Sequence, residues 1–69
     1  MVASTLGLII KGTRKSLGIT QPQVAELAGV SVNTLYQLER GQSNPTIEVL
    51  AKIAEVLGME VKLEVKNKI

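Results

Sequence analysis

Residues 20–41, "TQPQVAELAGVSVNTLYQLERG", constrain the fold more than any other stretch of the chain, because they predict two short helices joined by a tight turn. Thr20 and Gln23 form a T-x-x-Q capping box that begins the first helix. Gly29 suits the left-handed position that ends this helix, and Ser31 caps the second helix two residues later. Small alanines in the first helix permit the two helices to approach closely.

The same start and stop signals divide the rest of the chain. Gly18, Gly41 and Gly58 act as helix terminators, and Thr46 is the predicted N-cap of a last helix. Apolar residues at helical spacing predict the core positions of that helix, namely Ile47, Leu50, Ile53, Ala54 and Leu57. The predicted elements are helices at about 4–16, 21–28, 32–40 and 47–57, and a strand at about 59–66.

The composition limits what such a chain can do. Its 69 residues suffice for one small domain, and they include no Cys and no His. The six acidic residues are all Glu and are scattered, so we expect no catalytic group, no metal site, no cofactor and no enzymatic activity. The longest apolar run is too short to cross a bilayer and no leader pattern is present, so we expect a cytoplasmic protein with no membrane partner. A net charge of +2 and a pI of about 9.2 permit a nucleic-acid partner.

The third predicted helix has one apolar and one polar face. At about 100° per residue from Val32, Leu38 and Leu35 fall at roughly 240° and 300°. The opposite side, between roughly 40° and 140°, holds Tyr36, Arg40, Asn33 and Gln37. Asn and Gln can each bond two edge atoms of adenine, Arg can do the same for guanine or hold a phosphate, and Val can meet a thymine methyl. Many surface helices carry such residues outward, and it is the preceding short helix and turn that favour DNA.

Residues 17–58, "LGITQPQVAELAGVSVNTLYQLERGQSNPTIEVLAKIAEVLG", resemble the Cro/C1-type (XRE-like) helix-turn-helix family, which includes the lambdoid phage repressors. The matching positions are Thr20-Gln21, Ala25, Gly29-Val30-Ser31, Leu35, Leu38-Glu39, Gly41, Pro45-Thr46 and Leu57-Gly58, with Arg14 where the family has its helix-one arginine. The resemblance covers roughly residues 6–58. It implies a mainly α, compact four-helix domain of the lambda-repressor-like type that binds double-stranded DNA and regulates transcription, usually as a repressor.

The resemblance also implies a role for individual residues. Positions that face base edges in the family are occupied here by Val32, Asn33, Tyr36 and Gln37. Positions expected to contact the DNA backbone are occupied by Gln21, Ser31, Arg40, Gln42, Ser43 and Asn44. Arg14 and Glu39 match an ion pair of the family, for which we favour a structural role, with a phosphate contact by Arg14 as the alternative. Many members have a polar residue where this chain has Val32, so no known operator sequence can be transferred to it.

The C-terminal stretch "MEVKLEVK", residues 59–66, alternates apolar and charged residues with the period of a strand. A lone strand leaves its hydrogen-bonding edges open, so we expect it to pair antiparallel with the same strand of a second copy. The predicted dimer-interface residues are Met59, Val61, Leu63 and Val65, and Val49 and Val56 form an apolar stripe that would join them. The alternatives are a strand folded onto its own helices or a frayed tail.

These expectations define two regions and a function. Residues 1–58 would form the DNA-binding domain, and residues 59–69 the dimerisation strand and tail. We expect a homodimeric repressor that binds a palindromic operator, because two recognition helices combine their binding energies. Four helices followed by a dimerising strand resemble the HipB-like antitoxins, so a serine/threonine kinase-like toxin is a candidate partner. The alternative function is a protein-binding adaptor that uses the same fold.

Overall fold

The computed structural model describes the backbone of residues 2–62 and the side chains of residues 5–62. Between residues 2 and 62 the chain forms four helices, α1 (Val2–Ser16), α2 (Gln21–Ala28), α3 (Val32–Glu39) and α4 (Ile47–Val56). The mainly α, four-helix prediction is therefore confirmed, with small changes at the ends. Helix α1 begins two residues earlier than expected, whereas α3 and α4 each end one residue earlier, because Arg40 and Leu57 are their C-caps.

The predicted caps set the helix boundaries. The Thr20 hydroxyl accepts a hydrogen bond from the Gln23 amide at 3.3 Å, and the Gln23 side chain accepts one from the Thr20 amide at 2.8 Å. This reciprocal pair fixes the first residue of α2. Gly29 ends the same helix with φ +72°, a conformation that a residue with a β-carbon rarely adopts. The turn that follows lets α3 begin at Val32 and pack against α2.

One apolar core joins the four helices. Helix α1 packs against α3, and α2 packs against both α3 and α4. The fully buried large side chains are Val24, Leu35, Leu38 and Ile53. Because α2 and α3 each contribute at least one of them, the orientation of the two short helices depends on this core. Truncating such a side chain typically costs about 2–5 kcal/mol for Leu or Ile.

The contact between α1 and α3 depends on Gly7, which the sequence analysis did not single out. A β-carbon built on Gly7 would lie 2.3 Å from the carbonyl oxygen of Leu38 and 2.9 Å from that of Glu39. No side chain fits in that space, so the backbone of α1 lies directly against the C-terminal end of α3. A glycine within a helical pattern is the available sequence signal for such a close approach.

The core prediction for α4 is wrong at one position. Ile53, Ala54 and Leu57 are buried, but Ile47 is 59% exposed. Ile47 has the helical spacing of a core residue, yet it begins α4 and lines an open groove beside Val61 instead of facing another helix. Helical spacing predicts which side of α4 faces the core, but not how far the neighbouring helices extend along α4.

The apolar stripe expected at the dimer interface is partly covered by the chain itself. Val49 and Val56 are half-buried and pack against the chain's own core. More exposed apolar side chains lie beside the start of the tail, namely Ile9 of α1, which is 50% exposed, Ile47, and Val61, which is 40% exposed. The place of the dimer interface stays a prediction.

The predicted strand begins in the described part of the chain and continues beyond it. Residues 59–62 have no regular secondary structure in this single chain. The amide of Met59 donates to the Ala54 carbonyl at 2.8 Å, and its side chain is half-buried against the core, with its sulfur 3.7 Å from the Thr13 hydroxyl. The side chain of Met59, which was predicted to lie at the dimer interface, therefore packs largely against its own chain. Leu63 and Val65 lie outside the described residues, and pairing between two strands stays a prediction.

Candidate nucleic-acid interface

The structure places the polar side of α3 at the surface and its leucines in the core. Leu35 and Leu38 are 0% exposed, whereas Val32 and Tyr36 are each 43% exposed. Asn33 is also exposed and Gln37 is half-buried. The four side chains predicted to face base edges therefore share one accessible surface, the α3 face, which comprises Val32, Asn33, Tyr36, Gln37 and the neighbouring Arg40. A helix with a rigid apolar side and donors and acceptors on the other can lie in a major groove.

The hydroxyl of Ser31 already has partners within the chain. It accepts a hydrogen bond from the Thr34 amide at 3.0 Å, and the two hydroxyl oxygens lie 2.8 Å apart. Ser31 is thus the N-cap that begins α3, and this role requires its side chain to point back at the helix. To contact the DNA backbone as predicted, the Ser31 hydroxyl would have to bond a phosphate while it also caps α3.

A buried polar network connects α1, α2 and α3. Arg14 Nε donates to Glu39 Oε2 at 2.6 Å, and Arg14 Nη2 donates to Glu39 Oε1 at 3.0 Å, which is the bidentate geometry of a strong ion pair. Arg14 Nη1 donates to the Ile19 carbonyl at 2.8 Å. Because Arg14 is 8% exposed and has three internal acceptors, its geometry favours the structural role over the phosphate contact.

Glu39 also holds Gln21, the first residue of α2. The Gln21 side-chain amide donates to Glu39 Oε1 at 3.0 Å, so the carboxylate accepts hydrogen bonds from two different elements. Burial alone would raise the pKa of Glu39, but the hydrogen bonds from Arg14 and Gln21 outweigh it, and the net pKa is lowered. Glu39 is therefore an ionised group at neutral pH that ties the C-terminal end of α3 to the N-terminal end of α2.

The N-terminus of α2 presents fewer free amides than a helix end usually does. Pro22 has no amide hydrogen, Gln23 donates to the Thr20 hydroxyl, and Val24 donates to the Thr20 carbonyl at 3.1 Å. What remains at this end is the backbone amide of Gln21 and the second hydrogen of its side-chain amide. Both groups lie beside the end of α3, which is where a phosphate flanking a groove-bound helix would be found.

Two polar residues after α3 are arranged around its last turn. The backbone amide of Gln42 donates to the Gln37 carbonyl at 3.0 Å, and the Gln42 side chain accepts a hydrogen bond of 3.4 Å from Arg40 Nε. The guanidinium carbon of Arg40 lies 5.3 Å from the centroid of the Tyr36 ring, within cation–π distance. Helical spacing predicts that Tyr36 and Arg40 share one side of α3, and the structure shows in addition that the two side chains are in contact. In the loop that follows, Ser43 is half-buried and Asn44 is exposed.

Other kinds of site have no support in the part of the chain that the structure describes. Among residues 5–62, no group of three or more acidic side chains is close enough together to hold a metal ion. None of the four helices has the length and apolar character needed to cross a membrane. The α3 face, with Gln21 beside it, is thus the best-defined candidate site among these residues.

Comparison with known proteins agrees with this assignment. The sequence model of the helix-turn-helix family matches residues 10–63. An uncharacterized HTH-type transcriptional regulator of Methanothermobacter thermautotrophicus is 40% identical over 52 residues, covering 75% of this chain and 75% of that protein. The immunity repressor protein of Bacillus phage phi105 is 40% identical over 57 residues, which span 83% of this chain but only 40% of the repressor.

Solved structures show the same fold. The clp gene regulator ClgR from Corynebacterium glutamicum superposes with a TM-score of 0.83 at 32% identity, covering 87% of this chain and 64% of that one. The restriction-modification controller protein C.AhdI from Aeromonas hydrophila has a TM-score of 0.81 at 28% identity, covering 84% of this chain and 88% of the controller. These likenesses, with the exposed α3 face, define a helix-turn-helix DNA-binding domain.

The chain belongs to the Cro/C1-type helix-turn-helix family of DNA-binding transcriptional regulators, which are not enzymes. Several of its relatives are considerably longer than the region they share with it. The chain spans 59% of a regulator from Haemophilus influenzae and 16% of one from Methanocaldococcus jannaschii.

Proposed function

We propose that the chain is a sequence-specific repressor that binds a palindromic operator as a homodimer through the α3 face. The observation that supports this most is the division of α3 into two sides. Leu35 and Leu38 are completely buried and fix the orientation of the helix, while Asn33 and Tyr36 are exposed. In the proposed complex Val32, Asn33, Tyr36 and Gln37 contact base edges, and each good bidentate contact contributes about 1–3 kcal/mol of discrimination.

Contacts to the DNA backbone would set the position of α3 in the groove. We assign them to the Gln21 side chain and amide at the start of α2, and to Gln42, Ser43 and Asn44 after α3. Gln21 is held by Glu39 at 3.0 Å, so its donors are ordered before DNA arrives. Ordering a donor in advance reduces the conformational entropy that binding would otherwise cost.

The homodimer would form on the apolar surface around the start of the C-terminal tail. A groove of about 250 Å³ is lined by residues from α1, α4 and the tail, among them Ile9, Leu50 and Val61. Lys62, the last described residue, lies at this groove, and the sequence that follows it continues the alternation of apolar and charged residues. We therefore propose a second copy as the occupant, with residues 59–69 as the dimerisation segment and residues 1–58 as the DNA-binding domain.

A narrower version of this function is an antitoxin that represses its own operon and binds a serine/threonine kinase-like toxin. It rests on the alternating tail after four helices. A tagged full-length chain expressed in its native cell would then retain a kinase-like protein through washes at high salt. Recovery of the chain with DNA but without any such protein would leave a stand-alone repressor or a restriction controller as the better description.

The proposal is tested by measuring binding to labelled duplexes at several salt concentrations. A duplex selected from a randomised pool should bind far more tightly than an unselected one, and the logarithm of the affinity should fall steeply and linearly with the logarithm of salt concentration. Failure to enrich any sequence, with no salt-dependent binding to DNA, would favour the protein-binding adaptor instead.

A further inference from the structure

We propose that Arg40 recognises a guanine base in the major groove and that Tyr36 positions it for this contact. The family resemblance placed Arg40 among the residues that touch the DNA backbone, although an arginine on this face can also bond guanine, and we assign it the second of these roles. The inference rests on the proposed DNA-binding function and specifies one base that the site would require.

The first argument is the position of Arg40 on the α3 face. At about 100° per residue from Val32, Arg40 lies at roughly 80°, between Tyr36 at roughly 40° and Asn33 at roughly 100°. It is therefore near the centre of the surface predicted to face the bases and not at its margin. Arg40 is exposed and is the C-cap of α3, so its side chain starts at the end of the helix.

The second argument is the contact with the Tyr36 ring. The Arg40 guanidinium carbon lies 5.3 Å from the ring centroid, and the ring itself is 43% exposed on the same face. Stacking of this kind limits the rotamers of a long side chain and still leaves the edge of the guanidinium plane accessible. A mobile surface arginine that only follows a phosphate does not need such support.

The third argument concerns the nitrogens that remain free. Arg40 Nε donates to the Gln42 side chain at 3.4 Å, so one edge of the guanidinium is directed back towards the protein. No hydrogen bond within the described part of the chain involves the two terminal nitrogens, Nη1 and Nη2. These form a planar pair of donors that matches O6 and N7 of guanine, the commonest specific contact in protein–DNA complexes. Lysine can also donate to both of these acceptors, so the sharper test of Arg40 is a variant whose side chain has no donor.

The test compares the sequences that wild type and variants select from a pool of duplexes with a randomised stretch of about 20 base pairs, roughly two helical turns. Wild type should select a guanine at one fixed position in each half-site. Arg40→Met, which keeps a long side chain but has no donor, should lose the preference at that position only, with a change of about 5- to 150-fold, the range that one bidentate contact supplies. Tyr36→Phe keeps the ring and should keep the guanine preference, whereas Tyr36→Leu should weaken it.

A chemical substitution in the DNA provides an independent measurement. Replacing the selected guanine by 7-deazaguanine removes the N7 acceptor, and it should weaken wild type by about tenfold while leaving the affinity of Arg40→Met unchanged. The proposal would be wrong, and Arg40 a backbone contact, if Arg40→Met selected the same sequence as wild type and lowered the salt slope by about one. An unaltered guanine preference in Tyr36→Leu would remove the positioning role of the ring. If wild type itself selected no sequence, the proposed function would fail and this inference with it.

Discussion

Replacing Gly7 by alanine should destabilise the fold, although the same change in an unobstructed helix is stabilising. The added β-carbon would lie 2.3 Å from the Leu38 carbonyl oxygen, which is roughly 1 Å closer than non-bonded atoms approach each other. Helix α1 would have to move away from the end of α3. Overpacking of this kind typically costs about 1–3 kcal/mol, and alanine recovers about 1 kcal/mol of helix propensity. We therefore expect a net loss of up to about 2 kcal/mol for Gly7→Ala.

Gly12 in the same helix is the matched control. A β-carbon there would have no neighbour within 4 Å, so Gly12→Ala should stabilise the chain by about 0.5–1 kcal/mol through helix propensity alone. Both variants should be unfolded with urea at one fixed protein concentration and followed by circular dichroism, because the stability of a dimer depends on concentration. The two midpoints should move in opposite directions. Equal stabilisation by both substitutions would mean that α1 does not lie against α3 as described.

Three further outcomes follow from the core, the buried carboxylate and the tail. Leu35→Ala should cost about 2–5 kcal/mol, and a melting temperature equal to that of wild type would show that the orientation of α3 is wrong. The pKa of Glu39 is lowered below its ordinary value of 4.5, so the ionised carboxylate should stabilise the fold above that pH, and this stabilisation should be lost as the pH falls through the lowered pKa. Acid titration should show the loss of stability in wild type and a smaller loss in Glu39→Gln. Deletion of residues 59–69 should give a less stable helical monomer that binds an operator poorly, and sedimentation of a tight dimer would instead place the interface on the helices.

Local signals in the sequence account for most of the fold. The Thr20 capping box and the left-handed Gly29 are determined by residues three or four apart, and the structure shows both. Burial of Leu35 and Leu38 likewise follows from helical spacing. These features depend on near neighbours in the chain, which is why periodicity and capping rules are sufficient to predict them.

Features that depend on contacts between distant residues were not predictable in the same way. The closeness of Gly7 to the end of α3 depends on how two helices cross, and the exposure of Ile47 depends on where its neighbours stop. The hydrogen bond from Gln21 to Glu39 joins residues 18 apart in the sequence. Such a bond follows from the packing of three helices, for which one sequence contains no direct signal.

The candidate site was predictable from the sequence only in part. Its residues were identified by spacing and by resemblance, but their arrangement required coordinates. The stacking of Arg40 on Tyr36 is one example, since a spacing of four residues permits the contact without requiring it. The capping role of Ser31 was predictable from its position before α3, but the contact of its hydroxyl with that of Thr34, at 2.8 Å, was not.

The most direct test of the account is the effect of Asn33→Ala and Gln37→Ala on binding to the selected operator and to unrelated DNA. Lys52→Ala, at an exposed position on α4, is the control. Each α3 variant should lose about 1–3 kcal/mol of affinity for the operator, keep its affinity for unrelated DNA and melt like wild type, because in the proposed complex these side chains contact bases and neither of them is buried in the core. Unchanged operator affinity in both variants, or an equal loss on both kinds of DNA, would show that the α3 face does not read the sequence.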